Sequence, residues 1–185
     1  MSRRKAARLA ISALAIVVAA AVAVPALAAA PRNTTVKSIG KVTMVPNRGI
    51  TDSMRFNRDL VTIQTGGRIT LVDESKEPHS WSAVKRAQVP GTLRAVDACF
   101  GKGPCDDLAV AHGAINPDTG EEQEPTTPLV NVGKDGFNTA GDSVLIPPGR
   151  KTSVKITAAP GSTLYMICAI HPWMQNKVKA VRRVG

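Results

Sequence analysis

Short runs of β-branched residues, separated by glycine and proline turns, constrain this chain more than any other feature. In Val61-Thr62-Ile63-Gln64 and Ile69-Thr70-Leu71 apolar and polar residues alternate, so one side of each run packs inward while the other meets water. Strands are expected over residues 37–45, 60–64 and 69–73, and again over 143–146, 151–157, 162–168 and 177–182. Thr65-Gly66-Gly67-Arg68, Pro147-Pro148-Gly149 and Pro160-Gly161 provide turns. About seven such strands predict an all-β fold, an antiparallel β-sandwich. From about residue 83 to 140 the alternation lapses into a long insertion containing the polar run 116–128. Short helical turns are expected there over 83–86 and 92–98. A hydrophobic share of 43% in 185 residues supports one packed domain and excludes a disordered chain or a multi-span membrane protein.

The N-terminus reads as an export signal. Basic Ser2-Arg3-Arg4-Lys5-Ala6-Ala7-Arg8 precedes an acid-free apolar stretch from Leu9 to Ala30, with small residues Ala26-Leu27-Ala28 suited to cleavage after Ala28. Residues 1–28 are therefore assigned to the signal and 29–185 to the mature domain. The same stretch is long enough to remain as an uncleaved membrane anchor, the one membrane attachment the sequence suggests. Export to the periplasm, the cell surface or the medium makes nucleic acid an unsuitable partner. Of 24 basic side chains four lie in the signal, so 20 remain against 14 acidic ones, a net of +6 that favours an anionic partner through long-range attraction.

Three cysteines in an exported chain leave one without a partner. Cys99 and Cys105 flank Phe100-Gly101-Lys102-Gly103-Pro104, a segment that can turn back on itself, so a local disulfide is expected to staple the insertion. Cys168 is then a lone thiol that must be buried or bound to metal. It opens Cys168-Ala169-Ile170-His171-Pro172-Trp173-Met174, where a thiol, an imidazole and a thioether recur at i, i+3 and i+6 between two expected strands. A thiolate and a thioether are soft ligands and imidazole is borderline, a mixture that selects copper over calcium or magnesium. A second imidazole must come from elsewhere. His79, just beyond the strand ending near Asp73, suits this better than His112, which lies in the insertion.

Two imidazoles, one thiolate and a weak methionine make up a blue-copper donor set. The sequence here resembles the cupredoxins, and the spacing Cys-x-x-His-Pro-x-Met is that of the amicyanins. The resemblance covers 60–81 and 143–181 and leaves the insertion out. It implies a Greek-key β-sandwich with one type 1 copper held by His79, Cys168, His171 and Met174. Ser80 stands where the family often has an asparagine that ties the two ligand loops together. Pro172 would stiffen the loop, and Trp173 with Ile170 and Ala169 would form an apolar collar through which the outer edge of His171 meets a redox partner protein.

The resemblance further implies a single-electron carrier rather than an enzyme. Copper enzymes with such sites add centres that consume several more histidines, and only His112 remains. A thiol catalyst using Cys168 and His171 would leave His79 and Met174 without purpose. A zinc site at Cys99, Cys105 and His112 would need reduced thiols and a fourth ligand. The other reading that the residues allow is a copper storage or delivery module with no electron-transfer duty.

Overall fold

The structure, a computed structural model, describes residues 30–182. The expected signal segment lies outside these residues. In chain order the strands are β1 (Asn33–Ile39), β2 (Val42–Val45), β3 (Gly49–Asp52), β4 (Arg55–Phe56), β5 (Leu60–Gln64), β6 (Arg68–Asp73) and β7 (His79–Val84). Helices α1 (Leu93–Asp97) and α2 (Pro104–Ala111) follow. The chain then forms β8 (Leu129–Val130), β9 (Ser143–Ile146), β10 (Lys151–Lys155), β11 (Thr163–Ile167) and β12 (Gln175–Val181). Two sheets, ordered β10-β6-β1-β4 and β5-β12-β11-β7-β9-β8, sandwich the main core. Among the described residues no helix is long and apolar enough to cross a membrane.

The chain changes sheet between β4 and β5, again on either side of β6, and on either side of β10, which is Greek-key connectivity. This corrects the purely antiparallel expectation. β1 pairs with β6, and β5 with β12, in parallel, because the intervening chain crosses to the other sheet instead of closing a hairpin. The strand expected over 37–45 is also two elements. At Gly40 φ is +107°, and a Cβ there would collide with the Ser53 carbonyl, so the chain leaves the sandwich and folds β2 onto β3 as a separate hairpin.

Alternation places Val61, Ile63, Ile69 and Leu71 in the core as expected. At its centre Trp81 stacks on Phe137, ring centroids 5.5 Å apart, and donates from Nε1 to Asn176 Oδ1 at 3.1 Å. β7 does not alternate in exposure, since all six of its residues are buried. Trp81 and Ala83 belong to the main core, whereas Val84 joins a second cluster with Leu108, Cys99, Cys105, Ile167 and Ala169. The insertion thus roofs the outer side of the six-stranded sheet. Its Cys99–Cys105 disulfide is formed. Thr92 caps α1 by accepting from the Ala95 N–H at 3.2 Å, and Pro104 opens α2 where no amide donor is needed. The helical turn expected over 83–86 lies later, as a 3-10 turn at Arg86–Gln88, because Ala83 and Val84 still pair with β11.

Replacing Cys99 and Cys105 together by alanine is expected to cost about 2 kcal/mol in the chain-entropy account of so small a ring. Urea unfolding of the double variant beside the parent measures this, and an unchanged midpoint would show that the roof is held by packing alone.

Candidate metal centre

The ring of His79 enters from the first residue of β7, while Cys168 follows β11 and starts the loop into β12. Strand pairing places these stretches side by side, with Tyr165, Met166 and Ile167 opposite Val84, Ala83 and Ser82. The loop closes on its own backbone: the Cys168 N–H donates to the Met174 carbonyl at 3.0 Å, and the Met174 N–H to the His171 carbonyl at 2.8 Å. Gln175 Nε2 donates to the Pro172 and Pro90 carbonyls at 2.9 and 2.7 Å, which fastens the loop to the start of the insertion.

Three donor atoms converge there. Cys168 Sγ lies 3.8 Å from His79 Nδ1 and 3.8 Å from His171 Nδ1, and the two nitrogens are 3.2 Å apart. Metal–nitrogen bonds of about 2.0 Å and metal–sulfur bonds of about 2.3 Å around one ion would separate such donors by about 3.3–3.8 Å. The cluster therefore fits a single metal ion with little rearrangement. His79 and Cys168 are wholly buried and His171 is half-buried.

The donor atom of His79 is fixed by its other nitrogen. Ser75 Oγ donates to the Glu77 carbonyl at 3.2 Å and so accepts from His79 Nε2 at 2.8 Å, which leaves Nδ1 bare toward the cluster. Ser75 is held in turn by Asp73, whose carboxylate accepts from the Ser75 N–H at 2.8 Å and from the Gly149 N–H at 2.7 Å. Neither Asp73 nor Ser75 was singled out from the sequence, although a short Asp-x-Ser turn beside a ligand candidate is a readable signal. Burial and the neighbouring His171 ring lower the His79 pKa to about 4, against the opposing pull of Asp73 and Asp52. Burial likewise lowers His171. Burial pushes the Cys168 thiol up, opposed first by the Ser80 N–H. The imidazoles are thus ready as neutral ligands, whereas the sulfur needs a cation to take the place of its proton.

The remaining candidates are placed as follows. The Ser80 N–H donates to Cys168 Sγ at 3.3 Å, and Ser80 Oγ accepts from the Ala169 N–H at 2.7 Å, so serine makes the tie between the two ligand stretches. The Met174 side chain is wholly buried within the main core at the end of the loop, and Pro172 is buried beside it. Trp173 is not core packing. It is 43% exposed and meets the His171 ring edge-on at a centroid distance of 5.3 Å, with Ile170 40% exposed. Of the expected collar only Ala169 is buried. His79 stands beyond β6, which ends at Asp73 as expected, and is the first residue of β7. His112 lies apart from the cluster and bonds to Thr127 and Ser143, and the Cys99–Cys105 disulfide consumes both thiols that a zinc site would need.

No protein-family model and no curated protein matches the chain. Solved structures similar to it include a dithionite-reduced auracyanin from Roseiflexus castenholzii, 16% identical at a TM-score of 0.45, covering 82% of this chain and 98% of that one. A purple cupredoxin from Nitrosopumilus maritimus is 11% identical at 0.41, over 80% and 98% of the two chains. An amicyanin variant in the reduced Cu(I) form at pH 4 is 14% identical at 0.40, over 83% and 86%.

The lowered histidines carry a stability consequence in the metal-free protein. Between the ordinary pKa of 6.5 and about 4 the unfolded chain binds the His79 proton and the folded chain does not, so stability is lost as pH drops through that window. His112 and His171, also lowered, add in the same direction. His79 alone accounts for about 2–3 kcal/mol by pH 4.5. Urea unfolding at pH 7 and at pH 4.5 checks this, and equal stabilities would contradict buried neutral rings.

Proposed function

We propose that this chain is an exported type 1 copper protein of the cupredoxin kind that carries single electrons between redox partner proteins, with no catalytic reaction of its own. The observation that carries the reading is the buried convergence of two imidazole Nδ1 atoms and one cysteine sulfur within 3.8 Å of one another. That donor set, with a methionine sulfur as a weak further donor, is the blue-copper combination, and Met174 is the sulfur that the loop spacing would supply. Copper held there would supply a one-electron couple.

The chain's own residues keep the site fixed and dry. Ser75 and Asp73 set the His79 ring, Ser80 ties Cys168 to β7, and the loop hydrogen bonds around Pro172 hold His171. Donors held in place before and after electron transfer need little rearrangement, which is the condition for a fast carrier. His171 is the donor that reaches the surface, and exposed Trp173 and Ile170 beside it form the apolar ground on which a partner would dock. The mature charge of +6 favours an anionic partner. Export is supported by the N-terminal segment and by the disulfide, which persists in oxidising compartments.

The copper-loaded mature protein is expected to show an intense copper–thiolate absorption band that Cys168→Ser abolishes, while Met174→Leu retains the colour with a shifted reduction potential. A colourless protein that binds Cu(I) and hands it to an apo-enzyme would instead place the chain among delivery modules. Because the imidazoles are already neutral, uptake near neutral pH displaces one proton, that of Cys168. Apparent copper affinity should therefore rise about tenfold per pH unit between pH 6.5 and 8, measured by chelator competition. A flat profile would mean that the sulfur is not a ligand.

A further inference from the structure

On the outer side of the six-stranded sheet a file of buried hydroxyls runs from the metal centre into the insertion. Ser80 Oγ lies 2.9 Å from Ser82 Oγ, Ser82 Oγ 2.6 Å from Ser143 Oγ, and Ser143 Oγ 2.7 Å from His112 Nε2. His112 Nδ1 lies 2.5 Å from the Thr127 carbonyl. All three serines are fully buried and His112 is 2% exposed. Such a line on a sheet's outer side would ordinarily meet water; here α2 and the 112–128 segment cover it.

The proton order along the file has one solution. A carbonyl only accepts, so His112 carries its proton on Nδ1. Burial lowers its pKa and keeps the ring neutral, so Nε2 accepts from the Ser143 hydroxyl. Ser143 has then spent its proton and accepts from Ser82, which accepts from Ser80. At the far end the Ala169 N–H donates to Ser80 Oγ at 2.7 Å, consistent with the same direction throughout. Every member gives one hydrogen bond and takes one. Ser80 also bears on the Cys168 sulfur through its N–H, at 3.3 Å, and its hydroxyl lies within reach of the sulfur as an alternative to Ser82.

We propose that His112 is a positioning residue for the metal centre: through Ser143 and Ser82 it turns the Ser80 hydroxyl away from Cys168, and so sets how many hydrogen bonds the sulfur receives. The inference rests on the copper reading given above. With the acceptor at the end of the file removed, the hydroxyls are free to reverse, and the proton of Ser80 turns toward the sulfur. Added hydrogen bonding at a copper thiolate changes its reduction potential. The insertion thereby acts on the site from a distance, without supplying a ligand.

The test compares Ser143→Ala, which cuts the file, with Ser143→Thr, which keeps the hydroxyl. His112→Phe, which keeps the bulk of a ring and removes the acceptor, serves as the independent variant should Ser143→Ala fold poorly. In the copper-free, isotope-labelled protein, nitrogen and proton resonance should show the Nδ1–H form of His112. Ser143→Ala should shift the Ser80 and Ala169 amide resonances, because the Ser80 proton reorients while its oxygen still accepts from the Ala169 N–H. Ser143→Thr should remain near the parent, and His112→Phe should reproduce the amide shifts of Ser143→Ala. In the copper-loaded protein Ser143→Ala should shift the reduction potential, and Ser143→Thr should restore it. Unmoved amides in Ser143→Ala would overturn the relay, and moved amides with an unmoved potential would overturn its hold on the metal centre. A parent protein with no copper–thiolate band would refute the copper reading, and the amide measurements would still decide the relay.

Discussion

Two hydrogen bonds between stretches of chain that are nearly ninety residues apart make the centre possible. The Ser80 N–H reaches the Cys168 sulfur, and the Ala169 N–H reaches the Ser80 hydroxyl, so β7 and the loop after β11 are locked in one register. With that register set, His79 and His171 turn their Nδ1 atoms toward the sulfur and toward each other, and alternation along the strands follows: Trp81 and Met166 go to the main core, Ser82 and Ile167 to the roofed side. A slip of one residue in either stretch would exchange these sides and take the donor atoms apart.

The site also shows how a cluster of polar groups can sit inside an apolar sandwich. Burial makes charged imidazole costly, and the rings are accordingly neutral, each nitrogen of His79 and His112 having a defined neighbour. Ser75 and Asp73 spend their hydrogen bonds on the turn that carries His79, so its orientation depends on backbone amides and not on a mobile side chain. The sulfur is the exception, a group whose burial favours the protonated form until a cation arrives.

What could be read from the sequence depended on whether one side of an element met water. β5, β6, β9 and β11 were legible because apolar residues alternate with polar ones or run together between turn signals. The complete burial of β7 was not, since His-Ser-Trp-Ser has serines where an exposed side would be expected, and the insertion that buries those serines is distant from them in the chain. The parallel pairs and the break at Gly40 come from crossings and a close backbone approach, which local patterning does not encode. The loop was visible because Cys168, His171 and Met174 are crowded into one short stretch, and in the structure His79, not His112, stands beside Cys168 and His171. The role of His112 was hidden, because its partners are a carbonyl and a serine that carry no sequence signature.

β7 and β9 pair directly, His79 opposite Ile146 and Ser82 opposite Ser143, so the entire segment between them is topologically the loop of one hairpin. Its two ends leave and rejoin the sheet side by side, and the entropy of closing such a loop grows only slowly with its length. The part of this segment that precedes β8 can be lengthened, shortened or exchanged without rethreading either sheet. The sandwich is therefore a chassis on which this roof is an accessory, free to diverge in sequence at every position except those that touch the strands beneath it.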